Sequence, residues 1–164
     1  MTTTTDPIVD VPVRKSISVK ASQERAFRVF TEEIDTWWPR THHIGKVPMK
    51  KQVVEGRAGG RCYSEQTGGP DCDWGTVLVW DPPRRFVFAW QIDGQWQFIQ
   101  DVDKSSEVDV RFTPEPGGST RVDLEHRHLG RHAAEADAIR KAVDSSGGWG
   151  ALLGLYASRV EQAS

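Results

Sequence analysis

Trp149-Gly-Ala-Leu-Leu-Gly-Leu-Tyr-Ala-Ser-Arg-Val160 sets Trp149, Leu152, Leu153, Tyr156 and Val160 at steps of three and four, the period of one helical face. Gly147-Gly148 separates it from a weaker periodic stretch through Ala133, Ala136, Ile139 and Val143, compatible with a short helix. A terminal helix with so apolar a stripe has to bury it, and the large partner that the rest of the chain offers is a sheet.

Working back from that helix, extended segments are expected over 51–55, 61–66, 73–80, 85–92, 107–112 and 120–127. They are punctuated by Gly59-Gly60, Gly68-Gly69-Pro70, Asp81-Pro82-Pro83, the polar stretch 101–106 and the turn 114–119. Strands this close together pair antiparallel, because a parallel pair needs a crossover of about a dozen residues. Ahead of them, Val13, Lys15, Ile17 and Val19 alternate as a first strand over 13–20. Ser22 offers an N-cap with Glu24 behind it, and Phe27, Phe30, Ile34, Trp37 and Trp38 follow as one helix or two short ones, ending at Pro39. The reading is an α+β fold: a curved antiparallel sheet of about six or seven strands around a long C-terminal helix, with short helices after the first strand.

The 164 residues fit one domain, 13–164, behind a Thr-rich flexible leader, 1–12. With 21 Lys and Arg against 23 Asp and Glu, no basic footprint for nucleic acid or a membrane surface is present. No apolar run approaches the ~20 residues that span a bilayer, and the leader has no secretory pattern, so a soluble cytoplasmic protein is expected. Cys62 and Cys72 lie outside any Cys-x-x-Cys motif and are expected as free thiols.

Seven Trp are many for a side chain that is costly to bury unless its indole N–H finds a partner. Phe86, Phe88 and Trp90 share one strand face; Trp74, Thr76, Leu78 and Trp80 share another by strict alternation. Either set could line a cavity or simply form an aromatic core. On the last strand Val122, Leu124, His126 and His128 alternate with charged residues, which turns His126 toward the terminal helix and Glu125 outward, toward a salt bridge with an Arg. An imidazole inside an apolar cavity can donate a hydrogen bond or move a proton; equally, it can be satisfied by a backbone or Trp partner. His126, His128 and the loop pair His42-His43 raise the question of zinc, but the three or four convergent ligands that zinc takes are not patterned here. No metal or cofactor is expected, and neither a phosphate-binding Gly-rich loop nor a Gly-x-Ser-x-Gly elbow occurs.

Trp37-Trp38-Pro39, Glu55 to Gly60 with Arg61-Cys62-Tyr63, Trp74-Gly75-Thr76-Val77, Pro82 to Trp90, Ser106 to Phe112, Gly118 to Val122, Glu125-His126 and Gly148-Trp149 appear in an order and spacing that covers nearly everything from Val13 onward. In these the chain resembles the helix-grip or START-like (SRPBCC, birch-pollen-allergen-like) superfamily, in the branch similar to the C-terminal domain of the Hsp90 ATPase activator. That resemblance implies a cavity between sheet and terminal helix, with Trp37, Trp38, Trp74, Leu78, Phe88, Trp90, Val110, Phe112, Leu124, His126, Trp149, Leu152, Leu153 and Tyr156 as candidates to line it. It also implies three functions on one scaffold. Binding of a small apolar or aromatic molecule is the leading expectation. The alternatives are a polyketide cyclase or aromatase using His126, and a co-chaperone-like module with a protein partner or a second copy of itself. The separate Hsp90-binding module of the eukaryotic co-chaperone finds no counterpart here, so Hsp90 activation is not expected.

Overall fold

The structure is a computed structural model and describes residues 11–39, 48–93, 95, 97–145 and 147–162; the leader up to residue 10 and the histidine pair at 42–43 lie outside the described residues. Seven strands, β1 (Val13–Val19), β2 (Met49–Val54), β3 (Arg61–Gln66), β4 (Gly69–Asp81), β5 (Arg85–Trp90), β6 (Ser106–Pro114) and β7 (Thr120–Arg127), make one antiparallel sheet in the order β1-β7-β6-β5-β4-β3-β2. Everything after β1 is a hairpin meander, and β1 closes it by pairing with β7 from Val13↔His126 to Val19↔Thr120.

The expected one or two helices after β1 are one helix and one 3-10 turn. In α1 (Gln23–Thr31) the Arg25 N–H donates to Ser22 Oγ at 3.2 Å and Glu24 occupies the first turn, where its charge opposes the helix dipole. A 3-10 turn, Ile34–Thr36, then delivers Trp37 and Trp38 to the interior. After β7 come a 3-10 stretch (Leu129–Glu135), α2 (Ala136–Val143) and α3 (Trp149–Val160). All five residues of the α3 stripe are buried. Gly148 is required at its start, since a Cβ there would run into the Val143 carbonyl. The Tyr156 hydroxyl donates to the Ala26 carbonyl at 2.7 Å and Arg25 Nε to the Val160 carbonyl at 2.9 Å, locking α3 against α1.

β4 departs from strict alternation. The register shifts against β3 at Cys62/Tyr63 and against β5 at Val77/Val79, so Trp74 and Leu78 are extra residues in their ladders. The inward residues of β4 become Trp74, Val77 and Trp80. Thr76 instead donates its hydroxyl to Gln91 Oε1 at 2.6 Å, and Leu78 stays half-buried outside the core cluster. The expectation that Leu78 lines the interior is therefore corrected: a bulge moves Val77 into that place. His128 also leaves the expected face, because β7 ends at Arg127 and His128 sits exposed at φ 58°.

Candidate functional site

The register of the central strands brings polar groups to one spot on the face that α3 covers. Trp90 on β5 stands opposite Ser106 on β6, and Val108 on β6 stands opposite His126 on β7. Ser106 and His126 are fully buried. The 3-10 stretch after β7 adds His132, 6% exposed, over the start of β6.

These groups are hydrogen-bonded in a single direction. An indole N–H can only donate, so Trp149 Nε1 donates to His126 Nδ1 at 3.1 Å and makes that nitrogen the acceptor. The neutral ring then carries its proton on Nε2, which donates to Ser106 Oγ at 2.7 Å. The Ser106 hydroxyl donates onward to His132 Nε2 at 2.8 Å, where the Ser106 backbone N–H also arrives at 3.1 Å. His132 Nε2 is thus an acceptor and its proton resides on Nδ1. Among the described residues four buried side-chain atoms lack a partner; Gln66 Oε1 and Arg159 Nε belong to other parts of the fold, and the two donors His132 Nδ1–H and Trp90 Nε1–H belong to this cluster. Trp90 is only 6% exposed, and its ring packs 5.2 Å from His126 and 5.7 Å from Trp149.

Burial keeps both imidazoles neutral. Desolvation, helped by the neighbouring His132, lowers the pKa of His126 to about 3, and desolvation, opposed in part by the negative charge of Asp93, lowers that of His132 to about 4. His126 has both nitrogens engaged inside the protein and holds its neighbours in place; His132 is the imidazole with a free N–H.

A second polar station lies on β2 to β4. The buried Gln52 accepts at Oε1 from Ser64 Oγ at 2.6 Å and from Trp74 Nε1 at 2.8 Å. Aromatic rings connect the two stations. Trp38 stacks on Trp74 (centroids 6.0 Å, planes 11° apart) and meets Trp149 edge-on at 6.2 Å, while Trp74 meets Phe88 at 5.4 Å. Trp37 joins this network through Trp38 at 5.7 Å, packs on Tyr156 at 5.4 Å, and is itself satisfied by donating to the Val29 carbonyl at 2.9 Å. Of the residues expected to line the interior, all but Leu78 are buried on this side: Val110, Phe112 and Leu124 floor the sheet, and Leu152 and Leu153 face it from α3. The sequence leads to the expectation of a hollow; among the described residues the space nearest the polar cluster is occupied by contacting rings. Ser106 and His132 were not singled out from sequence. The signal that could have found Ser106 is the need of a buried His126 for a hydrogen-bond partner at each ring nitrogen, and His132 follows from Ser106 in turn.

The other features are bland. A groove of about 330 Å³ crosses β1, β7 and β6, with Arg14, Asp109, Arg111 and Asp123 among its walls. Its charges are neutralised in place, Arg14 with Glu125 at 2.9 Å as expected, Arg111 with Asp109 at 3.4 Å and Arg121 with Asp123 at 2.9 Å. Both cysteines are free thiols, and burial raises the pKa of Cys62 far above that of a reactive thiol. Among the described residues no three His, Cys, Asp or Glu converge as metal ligands, and no helix is long and apolar enough to cross a membrane.

A curled antiparallel sheet gripping a C-terminal helix, with polar groups buried between them, is the helix-grip architecture. The chain belongs to the family described as Activator of Hsp90 ATPase homolog 1-like protein, whose profile matches residues 20–157. Among solved structures it is 41% identical to an anthrahydroquino-gamma-pyrone synthase, Txn09, solved in complex with SUM; the match covers 92% of this chain and 97% of that one, with a TM-score of 0.64. It is 27% identical to CalC from Micromonospora echinospora, a self-sacrificing resistance protein, over 93% and 95% of the two chains (TM-score 0.65). Protein NE0264 from Nitrosomonas europaea shares the fold at 15% identity, 98% and 99% coverage and a TM-score of 0.65. No curated protein matches the chain.

Proposed function

We propose that this domain binds a small aromatic molecule between the sheet and α3. The observation that carries the reading is the pair of buried donors, Trp90 Nε1–H and His132 Nδ1–H, left without acceptors at the end of an aromatic wall. A folded interior leaves few polar groups unsatisfied, because each costs about 1–3 kcal/mol, so two together mark a place prepared for another group. Likeness to Txn09 and CalC supports the same direction. Both donors are closed off from water, so entry is coupled to movement of the rings packed on Trp90. Trp149, the first residue of α3 directly after Gly148, is one of these, its ring 5.7 Å from that of Trp90.

A second reading is a ring-forming enzyme, favoured by the 41% identity to a synthase. In that case the group that touches substrate is His132 rather than His126, whose nitrogens are both occupied.

Titration with xanthone, a planar tricyclic γ-pyrone, followed by indole fluorescence and by NMR of the indole N–H signals, tests the binding reading. Saturable one-to-one binding that moves the Trp90 and Trp149 signals is expected. Non-saturable binding, or shifts confined to the charged groove on β1, β7 and β6, would contradict it.

A further inference from the structure

We infer that the site selects ligands by an acceptor oxygen, of the aromatic ketone, quinone or pyrone class, received by His132 Nδ1–H and Trp90 Nε1–H together. This deepens the aromatic-binding reading and rests on it.

The inference follows from the direction of the hydrogen-bond chain. Because an indole cannot accept, Trp149 fixes His126 as the Nε2–H tautomer, and each later bond is then determined. The chain ends at His132 with a proton pointing away from the cluster, since Nε2 already accepts from the Ser106 hydroxyl and backbone. Trp90, opposite Ser106 in the β5–β6 register, brings a second donor to the same neighbourhood. Both free ends are donors, and neither ring can present an acceptor in this state. A ligand that places an unprotonated oxygen there satisfies them. One that places a methylene there leaves them buried and unpaired, the situation in which polar sites discriminate most strongly. The long aromatic wall sets the rest of the requirement, a flat conjugated body.

The test compares xanthone with xanthene, the same tricycle with CH2 in place of the carbonyl. Apolar transfer alone favours xanthene, so tighter binding of xanthone reports hydrogen bonding. Xanthone is expected to bind at least about tenfold more tightly, on the scale of one imperfectly matched buried donor or more. In the Trp90→Phe variant, which keeps a ring and removes one N–H, the preference is expected to fall about tenfold while xanthene affinity stays within about threefold. In the wild type, xanthone but not xanthene should move the His132 Nδ1–H resonance downfield. Equal affinity for the two compounds, or an unchanged preference in Trp90→Phe, overturns the oxygen assignment and leaves aromatic binding standing. Failure of both compounds to bind overturns both.

Discussion

Two indoles on the same face of the sheet, Trp74 and Trp90, meet opposite fates. Trp74 projects from a bulge in β4 and donates to Gln52 at 2.8 Å, with Ser64 filling the same oxygen. Trp90 projects from a regular strand beside Ser106 and His126, and among the described residues its N–H reaches no acceptor. The first station is closed and reads as structure. The second keeps two buried donors unpaired, and it is the place proposed to receive a ligand. A buried tryptophan is thus informative mainly through what its nitrogen finds.

The contrast can be strained most severely with acid, because only the open station among the two contains titratable groups. His126 and His132 have folded pKa values of about 3 and about 4, below the unfolded 6.5, so between these values the unfolded chain binds more protons. Their stabilisation is complete above pH 6.5 and is lost as pH falls toward 4. The loss is about 1.4 kcal/mol per pH unit per histidine, or about 4 kcal/mol in denaturant unfolding between pH 6.5 and 4.5. Asp109 acts in a lower window. Burial raises its pKa, but hydrogen bonds from Arg85 and Arg111 outweigh this and hold it below the usual range, so its contribution is lost only as pH falls through that depressed value. A pH-independent stability from 6.5 to 4.5 would remove the neutral, buried histidine pair.

Next in size, Gln52→Leu strands the Trp74 N–H and the Ser64 hydroxyl, and is expected to cost about 3 kcal/mol in urea unfolding. A loss under about 1 kcal/mol would mean that the first station is not closed by Gln52. Trp74→Phe and Trp90→Phe both lose ring volume, so their difference isolates the hydrogen bond; Trp74→Phe should be the more destabilising by about 1–2 kcal/mol. The smallest effect concerns β4 itself. Leu78→Ala should cost under about 1 kcal/mol, less than Val77→Ala despite the larger truncation, because Val77 and not Leu78 lies in the core. The reverse order would restore strict alternation.

Periodicity carried much of this architecture. The 3.6-residue stripe of α3 and the two-residue alternation of β1 and β7 follow directly from which residues must leave water. Alternation could not place Leu78, because a bulge adds one residue without any marker in the residue types. It also carried His128 along the face of His126, although the chain turns left-handed there. Ser106 and His132 were hidden for a related reason. One opens a strand and the other sits on a 3-10 turn, so neither belongs to a long periodic pattern, and it is the register of β5 with β6 that brings Ser106 opposite Trp90.

The most direct measurement is the tautomeric state of the two buried imidazoles, read from nitrogen-15 NMR of histidine-labelled protein near pH 7. His126 should be protonated at Nε2 and His132 at Nδ1, both neutral. A His132 protonated at Nε2 would leave no free Nδ1–H facing outward from the cluster, and a charged one could not accept at Nε2 from Ser106; either result would contradict the account.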